Sequence, residues 1–375
     1  MDIEPVTLKL DRAEDLLSYL PYRIGYVPTE SLAMLTVLEP VPGEIVVGMA
    51  ARLDLADLAT PGVLPQAVAG LQAQMDQDPT IAALTVVYTD EPIAHVRAGR
   101  GVAGSVLRGW LAVMPLTHPT EAYVVTPAGF ACLECAMTPC CPPLGKPLSR
   151  LTETAIAARM VLAGEALAPS REALGCPRMV DAERLAAATR AADRERRGMR
   201  RRPGDQQQRW RRRMLDLYGL ALAEASTDTG RWRPDPALLG RLGAAMTEPH
   251  LRDAIVAWTV SGERCTPCSA EVTRGFGGMV TGEVGLPDQT HRQAARVVLT
   301  EIARHAAPHR AGYPVAILGW LAWWSGEGAR AGVLAEQALQ EDPGCSLGQL
   351  LLDVLTDGVR PGWAHSSACM TPETS

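Results

Sequence analysis

Lysine is nearly missing from this chain, and phenylalanine is almost as rare. Only Lys9 and Lys146 among the 36 basic residues are lysine, and the 375 residues include two phenylalanines. So strong a preference for arginine, beside many alanines, glycines and prolines, is typical of GC-rich coding and carries no chemical meaning without local support. The formal net charge of −6 excludes a surface built as a whole to bind a polyanion.

Long apolar runs are missing as well. The longest, Tyr313 to Trp324, has 12 residues, whereas a membrane-spanning helix needs about 20. The first residues carry acids where a secretory signal needs basic residues followed by an apolar stretch. We therefore expect a cytoplasmic protein with no membrane partner, in which the nine cysteines are thiols or metal ligands rather than disulfides.

The first 147 residues alternate between helical and extended patterns. Ser31–Leu38 and Glu44–Leu53 are apolar runs joined by a turn, which indicates an antiparallel hairpin. Ala82–Tyr88 and Ala122–Thr126 each follow a segment with helical spacing, and Phe130–Leu133 is a short candidate strand beside the last of them. The order predicts an α/β domain over 1–147 with a mixed sheet of four or five strands. Two successive β-α-β units predict parallel pairs within it.

The pattern changes after residue 147. From there to about residue 357 apolar residues recur at intervals of three and four, with glycine and proline between the segments. This predicts an all-helical region of eight or nine helices. We divide it into an Arg-rich connecting region at 148–205 and a helical domain at 206–360, followed by a disordered polar tail at 361–375.

A cysteine-rich loop holds the densest group of potential metal ligands. Its C-x2-C-x4-C-C spacing resembles the close cysteine pairs that hold tetrahedral zinc, so a structural zinc ion is one interpretation. Ordinary burial of the thiols is the second interpretation, and a redox role is the third. A second C-x2-C pair, Cys265 and Cys268, is a distant source of a further ligand. The candidate zinc ligands are Cys132, Cys135, Cys140 and Cys141.

An arginine run occupies residues 190–213. It holds eleven arginines and three acids, a local balance of +8 that leaves −14 for the rest of the chain. Such a run can neutralise the phosphates of a nucleic acid, with Trp210 stacking on a base. An acidic protein partner, the chain's own acids and an ordinary solvated pair of helices are the alternatives. The candidate contacts are Arg200, Arg201, Arg202, Arg209, Trp210, Arg211, Arg212 and Arg213.

Two acids follow the buried strand that ends at Tyr88. Ligands of open α/β sheets bind at the carboxyl ends of the strands, so Asp90 and Glu91 are the candidate acid and base of an enzyme. Ordinary exposed loop acids are the alternative interpretation. The glycines of Gly99–Gly104 match a dinucleotide-binding pattern but come about ten residues after the strand, which is too late for that fold.

Three blocks of the chain resemble one known family. The segments 15–32, 140–147 and 338–344 read DLLSYLPYRIGYVPTESL, CCPPLGKP and ALQEDPG. They resemble the actinobacterial domain of unknown function 4192 family along nearly the whole chain, although Leu144 stands where the family has an acid and Tyr26 where it has phenylalanine. The resemblance implies the fold, a cytoplasmic location and an actinobacterial origin, and it brings no activity with it.

Two functions are consistent with these features. The first is a non-catalytic interaction or regulatory protein, whose helical region binds a partner protein through its arginine run and a row of tryptophans, Trp320, Trp323 and Trp324. The second is an enzyme with a pocket at the carboxyl ends of the parallel strands. We favour the first, because no motif in the sequence specifies a reaction.

Overall fold

The computed structural model describes residues 12–114, 119–135, 141–162, 166–178, 180–227, 230, 232–265 and 285–363. The chain divides into two compact units, 1–171 and 172–375. The first contains a sheet with helices and the second is helical, so the predicted succession of an α/β part and an all-helical part is confirmed. Within the described residues, no helix combines the length and the apolar character that crossing a membrane requires.

The first unit contains seven helices and five strands among its described residues. In chain order they are α1 (Ala13–Ile24), β1 (Ser31–Val41), β2 (Glu44–Asp54), α2 (Leu55–Leu58), α3 (Val63–Met75), β3 (Thr80–Tyr88), α4 (Ile93–Arg97), α5 (Gly101–Val113), β4 (Thr120–Thr126), β5 (Gly129–Cys132), α6 (Ser149–Thr152) and α7 (Ala155–Leu162).

The five strands form one mixed sheet in the order β2-β1-β3-β4-β5. The β1–β2 hairpin is antiparallel, as predicted, and β5 pairs antiparallel with β4. Only β3 and β4 are a parallel pair, where the sequence predicted two such pairs. The reason is that one edge of β1 is hydrogen-bonded to β2, and its other edge pairs antiparallel with β3. Strand β1 therefore lies between β2 and β3, which cannot pair with each other.

The core of the first unit lies between the sheet and the helices α2 to α5. The central strands supply fully buried apolar residues such as Met34 and Val87, and α5 supplies Trp110, which has no exposed surface. The continuous apolar character of β3 and β4 follows from this, because strands covered on both faces have no polar side. The pairing of β3 and β4 brings their carboxyl ends, Tyr88 and Val125, side by side.

The second unit is built from helices in its described residues. They are α8 (Ala182–Met199), α9 (Gly204–Thr227), α10 (Pro236–Ala245), α11 (Pro249–Ser261), α12 (Gln289–Arg304), α13 (Gly312–Trp324), α14 (Gly328–Glu341) and α15 (Ser346–Thr356), after a 3₁₀ turn at Glu172–Leu174. Helix α13 is apolar on every side and is buried along almost its whole length, which is typical of a helix at the centre of a core.

Helices α8 and α10 approach each other closely at a glycine. A Cβ atom added to Gly240 of α10 would lie 2.0 Å from the carbonyl oxygen of Ala188 on α8. Only a residue without a side chain allows the two backbones this separation. The contact fixes α8, which carries four of the eleven arginines of the run, against the helical core.

The predicted tail begins with residues that pack on the core. Pro361 and Gly362 are buried, and the indole N–H of Trp363 donates a 2.8 Å hydrogen bond to the carbonyl oxygen of Trp324. Residues 364–375 lie outside the described residues.

Candidate functional site

The carboxyl end of β3 is held by the side chain of Glu30. The Glu30 carboxylate accepts a hydrogen bond from the hydroxyl of Thr89 at 3.0 Å and from the backbone N–H of Asp90 at 2.7 Å. Glu30 itself has a φ of +41°, in the left-handed region that side chains rarely adopt. Asp90, the first of the two predicted catalytic acids, is exposed. Glu30 therefore shapes this end of the strand.

Glu91, the second predicted catalytic acid, caps helix α5. Its Oε1 accepts hydrogen bonds from the backbone N–H groups of Val102 at 2.8 Å and Ala103 at 3.1 Å. These groups at a helix N-terminus are where a phosphate would bind in a dinucleotide site. The carboxylate also lies against Gly101, where an added Cβ would be 2.0 Å from Oε2. The glycines thus make room for the Glu91 side chain. Its carboxylate occupies the position at the N-terminus of α5 where a bound anion would lie.

Replacing Glu91 by alanine is expected to destabilise the first unit by about 1–2 kcal/mol, the usual cost of losing an N-terminal helix cap. The matched change Asp90→Asn removes a neighbouring exposed acid and should alter the free energy of unfolding by less than about 0.5 kcal/mol. Urea unfolding of the two variants measures the difference. Equal effects at the two positions would contradict the capping role of Glu91.

The cysteine loop is described in part. Cys132 ends β5, and its carbonyl oxygen accepts a 2.9 Å hydrogen bond from the Arg97 guanidinium; Cys141 is buried. Cys140 lies outside the described residues, as does Cys268. Of the residues that the structure describes, no three His, Cys, Asp or Glu side chains are grouped so that they could hold a metal ion. The four-cysteine zinc site stays a prediction.

Part of the arginine run is turned towards acids of its own unit. Glu195, 9% exposed, accepts hydrogen bonds from the Arg202 guanidinium at 2.9 Å, from the Arg241 guanidinium at 3.0 Å and from the indole N–H of Trp210 at 2.8 Å. Burial by itself raises the pKa of Glu195, but these three donors hold it below its ordinary value. The ring of Trp210 is 6% exposed and the guanidinium of Arg202 lies 5.1 Å from its centre. This indole is covered by the chain itself.

Two further arginines of the run are paired within the unit. Arg211 binds Glu248 at 2.6 Å, and Glu248 in turn caps α11 through the N–H of Leu251. Arg209 and Asp205 form an exposed pair one turn apart at 2.9 Å. The sequence left open whether Arg202, Trp210 and Arg211 bind a nucleic acid, a protein partner or acids of their own chain. In the structure they bind Glu195 and Glu248 of their own chain and so join α8, α9 and α11.

Of the remaining arginines, Arg196 is partly buried and binds Asp193 at 3.2 Å, and the others are exposed. Arg190, Arg194 and Arg197 are spaced by four and three residues, so they share one face of α8, and Arg201 follows in the turn after the helix. We call these four residues the arginine stripe. None of their guanidinium groups has a hydrogen bond or ion pair to another described residue. Arg200, Arg212 and Arg213 are exposed outside the stripe.

The row of tryptophans belongs to the core. Trp320 and Trp323 are each 5% exposed and Trp324 is fully buried. The indole N–H of Trp320 donates to the carbonyl oxygen of Leu347, and that of Trp323 to the carbonyl oxygen of Val359. These rings are therefore not a surface on which a partner could dock, and the hypothesis that they bind one is wrong for this conformation.

His305 and His309, four residues apart, do not form a metal site. Helix α12 ends at Arg304, so the two rings do not share a helix face. His305 is buried, with Nδ1 2.8 Å from the carbonyl oxygen of Glu301 and Nε2 accepting from the Arg184 guanidinium at 3.3 Å. Burial lowers the pKa of His305. Both ring nitrogens are therefore used within the chain.

One family model matches almost the whole chain. It matches residues 14–281 and 282–362, and its description is a domain of unknown function, DUF4192. The chain belongs to this family. No curated protein and no solved structure matches it. Membership in DUF4192 confirms the resemblance seen in the three sequence blocks, and it assigns no activity to the strand ends, the cysteine loop or the arginine stripe.

The sequence of this DUF4192 member gave little sign of its two most connected acids. Glu30 lies in the family-like block before β1, where nothing indicates that its side chain reaches across to Thr89. In the sequence, Glu195 is one of three acids in a basic run. One feature of the sequence could have indicated the role of Glu195. It is a single acid between arginines, and in an amphipathic helix such an acid favours an internal ion pair.

Proposed function

We propose that this DUF4192 member is a non-catalytic binding protein, located in the cytoplasm, whose helical unit binds an acidic segment of a partner protein. The arginine stripe is the observation that carries this proposal. Four exposed guanidinium groups lie in a row, and none has an ion pair to another described residue. The cytoplasmic location and an actinobacterial origin rest on the sequence and on the family resemblance.

The helix that carries most of the stripe is held firmly against its neighbours. The Gly240 contact holds α8 against α10, and Glu195 ties α8 to α9 and α10 through three hydrogen bonds. From Arg190 to Met199, the last residue of α8, the backbone rises about 14 Å, at 1.5 Å per residue. Arginine presents a planar fork that binds a carboxylate through two parallel N–H bonds. A fixed row of such forks favours an extended acidic segment.

Two observations favour an acidic protein segment over a nucleic acid. Trp210, the aromatic residue inside the run, is covered by Arg202 and bonded to Glu195, so stacking on a base would require it to leave the core. The chain outside the run carries a net charge of −14, which opposes a long polyanion more than a short acidic segment. A nucleic acid is therefore an outcome to be tested.

The acids at the strand ends support a non-catalytic role. Glu91 Oε1 accepts hydrogen bonds from backbone N–H groups at the N-terminus of α5. The Glu30 carboxylate accepts hydrogen bonds from Thr89 and Asp90. The hydroxyl of Thr126, at the end of β4, donates to the carbonyl oxygen of Gly129 in the turn to β5. These groups are all engaged in hydrogen bonds that shape the loops. Asp90 is the remaining acid, and because it is exposed it does not favour acid–base catalysis at this edge.

The proposal is tested by fluorescence anisotropy with the full chain. A labelled peptide of about ten glutamates is expected to bind more tightly than a single-stranded oligonucleotide at equal ionic strength. Changing all four stripe residues to glutamine should weaken peptide binding about 10- to 100-fold, because exposed ion pairs contribute about 0.2–1 kcal/mol each. The matched control changes Arg209, Arg212 and Arg213 to glutamine and should have a smaller effect.

Two results would contradict the proposal. One is an unchanged dissociation constant for the peptide when the stripe is removed. The other is tighter binding of the oligonucleotide than of the peptide, with a steep dependence on salt, which would assign the stripe to phosphates instead.

A further inference from the structure

His305 is buried in the second unit, immediately after the last residue of α12. It is 2% exposed. A guanidinium group can only donate hydrogen bonds, so the 3.3 Å bond from Arg184 Nε to His305 Nε2 requires that Nε2 carries no proton. The proton of the neutral ring is therefore on Nδ1, which donates to the carbonyl oxygen of Glu301 at 2.8 Å. This geometry fits the neutral imidazole and excludes the imidazolium.

The same guanidinium ties the beginning of α8 to its neighbours. Arg184 is in the first turn of α8, where its backbone N–H donates to Asp181, the residue that caps the helix, at 3.1 Å. Its guanidinium donates through Nε to His305 and through Nη2 to the carbonyl oxygen of Pro234 at 2.9 Å. One side chain thus joins α8 to the end of α12 and to the segment before α10. This junction depends on a histidine, the side chain that titrates closest to neutral pH.

Burial and two arginines keep the His305 ring neutral. Burial has the largest effect and lowers the pKa of His305 below its ordinary value of 6.5. Arg184 on α8 and Arg304 on α12 lower this pKa as well. Glu301 has the opposite effect, because its Oε2 lies 3.6 Å from Nδ1 and its backbone carbonyl accepts from the same nitrogen. The net direction is downward, so the ring is neutral at pH 7.

The other ion pair close to the ring balances its own charge. Arg178, in the segment before α8, binds Glu341 of α14 at 2.7 Å and donates to the carbonyl oxygen of Ala306, the residue next to His305. By contrast, the Arg184 guanidinium has no carboxylate partner in the part of the chain that the structure describes. Its positive charge therefore faces Nε2 without a counterion.

We propose that His305 is a pH-sensitive contact that holds the beginning of α8 only while its ring is neutral. A proton on Nε2 would place an N–H group against the N–H of Arg184, and two positive charges would share one buried position. The hydrogen bond cannot survive that change. The guanidinium is the group that moves, because Nδ1 of the ring stays bonded to Glu301. Acidification therefore releases the first turns of α8 from the end of α12.

The sign of the effect on stability follows from the lowered pKa of His305. The unfolded chain takes up this proton more readily than the folded protein, so the stabilisation by the neutral contact is complete above about pH 6.5. It is lost as the pH falls through the lower, folded pKa. The contact includes no residue of the arginine stripe, so it is independent of the proposed function.

Two measurements on the full chain test this proposal. NMR of protein labelled with ¹³C-histidine follows the titration of His305, the resonance being assigned with His305→Gln. Hydrogen exchange with mass spectrometry follows the amides of residues 184–190, with rates corrected for the intrinsic effect of pH. The ring should titrate below 6.5. Over the same pH interval these amides should lose protection at least about fivefold, whereas those of residues 214–222 in α9 should keep theirs.

Two variants separate the charge from the helix. Arg184→Gln removes the cation that faces the ring and should raise the pKa of His305 by about half a unit or more. Arg200→Gln, at the exposed far end of α8, is the matched control and should leave that pKa unchanged. His305→Gln offers Arg184 a neutral acceptor at every pH. In this variant the protection of α8 should no longer change between about pH 5 and 7.5.

Three results would overturn the proposal. The first is titration of His305 with unchanged protection of α8, or no titration before the whole chain unfolds. The second is the same pKa of His305 in Arg184→Gln as in Arg200→Gln. The third is an equal loss of protection on acidification in His305→Gln, which would assign the effect to another group. If either variant at the contact fails to fold, the comparison of ring and helix in the unmodified protein still decides.

Discussion

Replacing Gly240 by alanine is expected to destabilise the helical unit by about 3 kcal/mol. The added Cβ would lie 2.0 Å from the carbonyl oxygen of Ala188 and 2.7 Å from its carbonyl carbon. Both atoms are backbone, so no side-chain rotation relieves the overlap and α8 must move away from α10. Overfilling a packed interior costs about 1–3 kcal/mol, and the upper end applies where the neighbour is rigid.

The matched control is Gly332→Ala in α14. Gly332 is also inside a helix of the second unit, and the nearest atom to its added Cβ is Leu355 Cδ1 at 4.0 Å. Alanine should therefore stabilise that helix by about 0.5–1 kcal/mol. Chemical denaturation followed by tryptophan fluorescence reports on the helical unit, which holds all the tryptophans except Trp110. A Gly240→Ala protein as stable as Gly332→Ala would show that the helices are not in close contact.

The second large effect is expected from Glu195→Gln, a loss of about 2–4 kcal/mol. The change keeps the size of the side chain but removes the charge that Arg202, Arg241 and Trp210 share. Removing the carboxylate leaves its donors partly buried and without a negative charge to balance the two guanidinium groups, which is costly where solvation is poor. Asp205→Asn is the matched control, because its pair with Arg209 is exposed and should contribute less than about 0.5 kcal/mol.

The pH dependence supplies a second readout for Glu195. Its three donors hold the pKa below the ordinary value of 4.5, so the folded protein binds this proton less readily than the unfolded chain. The stabilisation is complete above about pH 4.5 and is lost as the pH falls through the lower, folded pKa. The wild-type and Glu195→Gln proteins should converge in stability as the solution is acidified. A constant difference between them down to low pH would exclude the ion pair as its source.

The sequence was most informative where one local pattern decides the structure. Continuous apolar runs marked β3 and β4 because strands covered on both faces have no polar side, and the Pro-Val-Pro-Gly turn marked the β1–β2 hairpin. The position of β1 between β2 and β3 was beyond such reasoning. It depends on which edge of a strand is still free once a hairpin has formed, and that is a property of the assembled sheet.

The arginine run shows why the candidate site was harder to predict. Arginines of one segment look alike in sequence, yet Arg202 binds Glu195 whereas Arg194 is exposed. The difference comes from the position of each residue in the fold and from the acids that lie nearby, Glu195 on α8 and Glu248 at the start of α11. Helical spacing alone could have grouped Arg190, Arg194 and Arg197. The contacts of Trp210 with Glu195 and Arg202 required the folded chain.

A stepwise removal of the arginine stripe tests the central claim most directly. Single, double, triple and quadruple glutamine variants at Arg190, Arg194, Arg197 and Arg201 are titrated with the acidic peptide at one fixed salt concentration. We predict that the logarithm of the dissociation constant rises with each arginine removed, by a similar step each time. A constant value across the series, or the same loss when Arg209, Arg212 and Arg213 are removed instead, would contradict a binding surface on this face of α8.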